Sequence, residues 1–232
     1  MKANIYYLFF TKEQKMARVR SYSLREEWLN AGSHALGILL GIVAGGILLK
    51  ACGSDRWAIG SVWVYLFGML SCYIASTSYH ACQDPGKKQT LQKFDHASIY
   101  LHIAGSYTPF TLVTLREVAW WGWGLFLFIW LAAVAGVILS FRKYEKHNPV
   151  ETVCYVLMGC AVLVAFNPLL RVFSDTGRMA AFYWLIAGGV SYIIGALFYS
   201  WTTRRYMHTV FHLFVLGGSV CHINAILLAI SR

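Results

Sequence analysis

The sequence predicts an all-α protein, an integral membrane bundle of seven transmembrane helices. Composition is the first observation: 58% of the 232 residues are hydrophobic and only 13% are charged, about half of the roughly 25% found in soluble domains. The second observation is that apolar runs of about 20 residues, which is enough to cross a bilayer, alternate with short polar breaks along the chain. We therefore expect one membrane domain with little mass outside the bilayer.

The apolar runs define seven predicted spans. They lie at 31–51, 57–81, 93–115, 118–141, 150–171, 180–202 and 208–230. Residues 1–30 are predicted to form a cytoplasmic N-terminal tail, and residues 31–232 the seven-helix domain. Pro109 and Pro168 fall inside spans and predict a kink or a break there, because proline cannot donate the helical hydrogen bond.

The distribution of positive charge predicts how the spans are oriented. The formal net charge of +10 does not indicate nucleic-acid binding, because Lys and Arg stand in short clusters between apolar runs, the pattern of the positive-inside rule. With a cytoplasmic N-terminus, 14 of the 20 Lys and Arg residues lie on the cytoplasmic side and 6 on the other. Seven crossings then place the C-terminus outside.

Small residues and cysteines add two expectations. Gly37, Gly41 and Gly45 repeat at a spacing of four, which suits close helix packing either within the bundle or in a homo-oligomer. The six cysteines form no CxxC pair, and we expect no disulfide framework.

Polar residues occupy the predicted cytoplasmic ends of three spans. His208 and His212 begin the seventh span, and their spacing of four places them on one helix face. Ser76 and His80 share a face at the end of the second span in the same way, and Asp95 lies near the start of the third. Because polar side chains are costly inside a bilayer, these residues indicate a functional site, and we expect them at a similar depth.

Three histidines with a carboxylate nearby predict a zinc site. Catalytic zinc commonly has three protein ligands and an open fourth position, which fits His80, His208 and His212. Asp95 is then free to act as a base, and Ser76 to position a substrate carbonyl group. Spacing alone also allows each histidine to be an ordinary interfacial residue. His102 and His222 are candidates for a polar cavity or a proton path, or for buried structural histidines, and His34 lies near the level of the site with no role that the sequence assigns.

The motifs, in their order along the chain, resemble the bacterial hemolysin III proteins of the progestin and adipoQ receptor (adiponectin receptor-like) superfamily. The matching stretches run from Glu26 to His34, Ala75 to His80, Lys93 to His96, Ala104 to Phe110 and His208 to His222. The resemblance implies a bacterial inner-membrane protein with seven helices and an intramembrane zinc held by His80, His208 and His212, with Asp95 and Ser76 beside it. Glu26 and Glu27 fit the family motif, but the sequence suggests no role for them.

The superfamily is similar to alkaline ceramidases, which share the Ser, Asp and three-His set and hydrolyse a lipid amide. We therefore expect a zinc-dependent hydrolase that takes a lipid amide or ester from the inner leaflet and contributes to membrane homeostasis. A non-enzymatic sensor or receptor with structural zinc is the main alternative. A haemolytic protein is a third hypothesis, which the packed, Gly-rich helices disfavour, and an ion or proton pathway through Asp95, His102 and His222 is a fourth.

Overall fold

The computed structural model describes residues 21–142 and 149–231, and within these ranges the chain is helical, without a β-strand. The helices are α1 (Leu24–Ala51), α2 (Arg56–Ala81), α3 (Pro85–Pro109), α4 (Trp121–Arg142), α5 (Pro149–Cys160), α6 (Phe166–Asp175), α7 (Met179–Ser200) and α8 (Met207–Ile230). A π-helical turn, Phe110–Thr114, continues α3, and a 3-10 turn, Ala161–Ala165, joins α5 to α6. The all-α prediction is confirmed for this part of the chain.

Among the described residues, six helices are long and apolar enough to cross a membrane. They are α1, α2, α4, α7, α8 and the continuous segment Val150–Asp175, which comprises α5, the 3-10 turn and α6. The third predicted span differs from the others. It is a helix of 25 residues, α3, whose first turns carry Lys87, Lys88 and Lys93, so its composition is more polar than that of the other six.

The exposed surface of the bundle is apolar and polar residues are buried, the reverse of a soluble protein. Large side chains that are 60–70% exposed include Leu39, Phe67, Leu131 and Leu197. Buried polar residues include Asn30, Ser76, His80, His212 and Ser219. Such a surface suits lipid, and the buried polar groups are candidates for a functional site.

Two helices begin earlier than the sequence analysis expects. α1 starts at Leu24, ahead of the predicted start near residue 31, because Ser23 and Glu26 form a reciprocal capping box that satisfies free backbone N–H groups. α3 starts at Pro85, ahead of residue 93, because Asp84 caps it and proline suits the first helical position. Residues 1–20 of the predicted tail lie outside the described residues.

The disruptions predicted at two prolines are confirmed. Pro109 ends α3 and is followed by the π-helical turn. Pro168 lies in the first turn of α6, just after the 3-10 turn. Proline removes a helical hydrogen bond and crowds the preceding turn, so the regular α-helical pattern changes at each position.

Packing brings the first, second and last helices together. α2 packs against α1 and α3, and α8 packs against α7 and α1. The glycine repeat of α1 faces α2, where Gly37 lies on Tyr73 and Gly41 on Leu70. The start of α1, the end of α2 and the start of α8 therefore meet at one end of the bundle.

Candidate metal site

Three histidines converge at that end of the bundle. His80 lies in the last turn of α2, and His208 and His212 lie in the first two turns of α8. The Nε2 atom of His208 is 3.2 Å from that of His80 and 3.0 Å from that of His212. A tetrahedral zinc with bonds of about 2.0–2.1 Å holds its nitrogen ligands roughly 3.4 Å apart. The three residues predicted as ligands thus lie at a separation close to that of a zinc site.

Hydrogen bonds at Nδ1 fix how two of these rings present their Nε2 atoms. The Nδ1 atom of His80 lies 2.6 Å from Oε2 of Glu27, and that of His212 lies 3.1 Å from the backbone oxygen of Asn30. A carboxylate and a carbonyl only accept hydrogen bonds, so Nδ1 carries the proton in each ring. In the neutral rings both Nε2 lone pairs then point into the cluster, an arrangement that can hold a cation.

Glu27, for which the sequence suggests no role, lies directly behind His80. It is buried, and its second oxygen, Oε1, accepts an ion pair from Nζ of Lys88 at 2.9 Å. Lys88 also donates to the backbone oxygen of Cys82 at 3.0 Å. A chain of contacts from α3 through α1 therefore orients His80 on α2. The available signal was an acidic residue within the first turn of an otherwise apolar helix.

Glu26 anchors the start of α8. Its Oε1 atom accepts a hydrogen bond of 2.9 Å from the backbone N–H of Tyr206, which has a left-handed backbone with φ of 64°. L-residues adopt this conformation at a cost of roughly 1–2 kcal/mol. One turn further on, the hydroxyl of Thr209 donates to the side-chain oxygen of Asn30 at 2.5 Å. The first turns of α1 therefore set where His208 and His212 point.

Asp95 and Ser76 lie beside the cluster but outside its set of converging atoms. Both are buried, and both line the same cavity as His208 and His212. Ser76 stands one turn before His80 on α2, as the spacing predicts, and Asp95 reaches it from α3. The structure thus brings together all five residues that the sequence singled out.

An internal cavity of about 270 Å³ adjoins the cluster. His208, His212, Asp95 and Ser76 line one end of it. Its walls include apolar side chains of α3, α5 and α7, among them Ile99, Ile103, Val156, Ile186 and Val190. His34, which stacks on His212 with ring centroids 3.6 Å apart, also lines the cavity. Small-molecule sites have a similar character, apolar with a few placed polar groups.

Tyr22 covers the cluster just before α1 begins. Its ring centroid lies 5.0 Å from that of His208 and 6.1 Å from that of His80. Burial raises the pKa of the Tyr22 hydroxyl, so this residue contributes a neutral donor and an aromatic face to the site.

Fold and site define a multi-pass helical membrane protein in which a buried three-histidine cluster adjoins an internal cavity. The sequence matches the model of a family described as Haemolysin-III related over residues 22–223. The chain belongs to that family, and it is a multi-pass cell membrane protein.

Relatives occur in bacteria and eukaryotes. The chain is 36% identical to Hemolysin-3 of Bacillus cereus over 208 residues, covering 89% of this chain and 92% of that protein. It is 32% identical to the human Monocyte to macrophage differentiation factor over 209 residues, covering 87% and 83%. It is also 24% identical to the ADIPOR-like receptor IZH2 of Saccharomyces cerevisiae over 235 residues, covering 89% and 72%. The resemblance drawn from the motifs is confirmed.

Proposed function

We propose that the protein is a zinc-dependent hydrolase that acts on a lipid amide or ester taken from the inner leaflet and that contributes to membrane homeostasis. One observation carries the proposal. Three Nε2 atoms converge beside Asp95 and Ser76, at the polar end of a cavity with apolar walls inside a membrane domain.

The donor set suits zinc better than a hard cation. The converging atoms of His80, His208 and His212 are all imidazole nitrogens, whereas Mg²⁺ and Ca²⁺ prefer oxygen ligands. Glu27 stands behind His80 in the carboxylate–histidine arrangement that orients metal ligands. A bound zinc ion would supply Lewis acidity to a water molecule and to a carbonyl group.

The residues around the cluster have separate proposed roles. Asp95 accepts the proton of the attacking water as general base, and it returns that proton to the leaving amine or alcohol as the C–N or C–O bond of the substrate breaks. Ser76 donates a hydrogen bond to the carbonyl oxygen of the substrate as negative charge develops there. The apolar walls of the cavity hold the hydrocarbon chain and exclude bulk water from the reacting group.

Metal content is the first test. In detergent-purified protein we expect about one zinc per chain, as for a three-histidine site, and loss of that zinc in His208→Ala. The matched control is His222→Ala on the same helix, roughly 15 Å from His212 at 1.5 Å per residue, which should keep its zinc. A folded wild type that takes up no metal when zinc is supplied would remove the proposal.

Turnover is the second test. Asp95→Asn should keep zinc but lower the rate of lipid amide or ester hydrolysis at least about 100-fold, because the variant cannot accept the proton. Product release would be measured by chromatography. Equal rates in wild type and variant would exclude Asp95 as the base. A zinc-loaded wild type that turns over no lipid would favour the receptor function that the name of the yeast relative states for that protein.

The proposal includes a seventh crossing by α3, with a cytoplasmic N-terminus and an external C-terminus. Contacts at the site support it by parity. The start of α1 and the start of α8 meet at the same end of the bundle through Asn30 and His212, and His80 places the end of α2 there too. Because the chain leaves this end of the bundle at the end of α2 and is back at it at the start of α8, the number of crossings between these two points must be even. The segments α4, Val150–Asp175 and α7 make three crossings. A crossing by α3 makes four.

A further inference from the structure

A second group of polar side chains lies deeper in the bundle. We call it the mid-membrane cluster; its members come from α2, α3, α7 and α8 and are Tyr73, His102, Tyr192, Ser219 and His222. Tyr73 donates its hydroxyl to Oγ of Ser219 at 2.7 Å, and the Tyr192 hydroxyl lies 3.1 Å from the same oxygen. The ring centroid of His102 is 5.9 Å from that of Tyr73 and 6.0 Å from that of Tyr192.

The mid-membrane cluster lies some distance below the three histidines. Ser219 follows His212 by seven residues on α8, which is about 10 Å at 1.5 Å per residue. His102 follows Asp95 by seven residues on α3, so the same estimate applies there. His102, Tyr192 and His222 line the cavity that also contains His208 and His212. One cavity therefore reaches both polar groups, the three-histidine cluster and the mid-membrane cluster.

Glycines on neighbouring helices make room for three rings of this cluster. A Cβ atom on Gly37 would lie 2.4 Å from the Tyr73 ring, and one on Gly188 would lie 2.2 Å from the ring of His222. A Cβ atom on Gly218 would lie 2.6 Å from the Tyr192 ring. Only glycine lets the backbone approach each polar ring this closely. The packing of the neighbouring helices therefore provides specific space for these three rings.

The cluster leaves hydrogen-bonding capacity directed at the cavity. His102 is 6% exposed and lines the cavity, and its Nε2 atom has no hydrogen-bond partner among the described residues. A buried polar atom without a partner is destabilising. An occupant of the cavity that bonds to His102 would relieve this cost.

The lining of the cavity defines the chemistry of that occupant. No Lys, Arg or Glu is among the described residues that line it, and Asp95, the single carboxylate among them, lies beside the three-histidine cluster. Tyrosine, serine and imidazole groups together offer both donors and acceptors. A charged headgroup finds no counter-ion here, whereas an uncharged hydroxyl group finds partners for its hydrogen and for its oxygen.

We propose that the mid-membrane cluster binds a hydroxyl group carried on the hydrocarbon chain of the lipid ligand, about 10 Å from the three-histidine cluster. The inference rests on the proposed function for the placement of the lipid's polar end at His208 and His212. It adds that hydroxylated chains are preferred over plain ones, because a plain chain would leave the Nε2 atom of His102, which has no partner among the described residues, buried against methylene groups.

The test compares stearic acid with its 10-hydroxy derivative as ligands of the detergent-purified, zinc-loaded protein, with affinities measured by displacement of a fluorescent fatty acid. We expect the hydroxylated acid to bind at least about tenfold more tightly to the wild type. One well-made hydrogen bond in a site that excludes bulk water contributes about this factor to the affinity. The double variant Tyr192→Phe with His102→Phe, which removes the hydroxyl and the imidazole that line the cavity at this cluster, should bind both acids equally. The control Tyr183→Phe, on the same helix but 64% exposed, should retain the preference.

Equal affinities in the wild type, as expected if water fills the cluster, would overturn the inference, and so would a preference that survives in the double variant. The readout is a ratio of affinities and requires no turnover. A protein that prefers the hydroxylated acid but hydrolyses nothing would thus contradict the proposed reaction and leave the binding inference supported.

Discussion

At the scale of single residues, the hydrogen-bond partners of Nδ1 in His80 and His212 determine whether Nε2 of each ring is free to bind a cation. Glu27 and the backbone oxygen of Asn30 hold the Nδ1 atoms of His80 and His212. Without these partners either ring could adopt the other tautomer and direct an N–H group into the cluster. The acceptors on α1 therefore prepare the two rings to bind a cation.

Glu27 gives a direct test of this arrangement. Glu27→Gln should weaken zinc binding by about 10–100-fold, because outer partners of metal-bound histidine contribute to affinity by that amount. Competition with a chelator would measure the zinc affinity. The matched control, Glu117→Gln, alters a carboxylate whose side chain is 84% exposed, and its zinc affinity should equal that of the wild type. An unchanged affinity in Glu27→Gln would show that Glu27 does not orient His80.

At the scale of helices, close contact between α1 and α2 keeps Glu27 within reach of His80. Gly37 and Gly41 lie directly against Tyr73 and Leu70 of α2. The glycine repeat thus has a packing role within one chain. On the other side of the cavity, Glu151 of α5 pairs with His96 of α3 at 2.8 Å and accepts from the hydroxyl of Ser140 of α4 at 3.1 Å. These polar contacts link α3, α4 and α5 near Asp95.

The glycine contact can be tested by a pair of substitutions on α1. In Gly37→Ala the new methyl group would meet the Tyr73 ring at 2.4 Å, and overpacking of this kind costs about 1–3 kcal/mol. In Gly46→Ala the new methyl group meets nothing within 4 Å, so better helix propensity should leave stability unchanged or raise it by up to about 1 kcal/mol.

Thermal unfolding in detergent would measure both variants, with a lower midpoint expected for Gly37→Ala alone. If the two variants unfolded at the same temperature, close packing of α1 on α2 would not be a source of stability.

At the scale of the whole molecule, the number of crossings decides on which side each terminus lies. The six apolar segments alone would put both termini on one side, whereas a crossing by α3 puts them on opposite sides. α3 carries its polar groups inward, since Gln92, Asp95 and His102 are buried. A helix that buries its polar face in this way can cross a bilayer despite a less apolar sequence.

Reporter fusions would test the topology. A fluorescent protein that matures only in the cytoplasm should be bright at the N-terminus and dark at the C-terminus, and alkaline phosphatase, which needs an oxidising compartment, should be active at the C-terminus only. Fusions at the break around Asp84, which the charge distribution places in the cytoplasm, serve as the internal control. Identical results at both termini would exclude an odd number of crossings.

The sequence by itself determined the class of protein and the approximate extent of six apolar spans, and it predicted the five residues of the candidate site, because apolar length and polar residues within apolar runs are local properties of the chain. His208 and His212 share a face by spacing alone, and the charge bias predicts that His80 and Asp95 lie at their depth. The roles of Glu26 and Glu27 depend on contacts with Tyr206 and His80, which are far away in the sequence. Only tertiary structure could decide these contacts, because the helices that meet, and the rotations about their axes, are set by packing across the whole bundle.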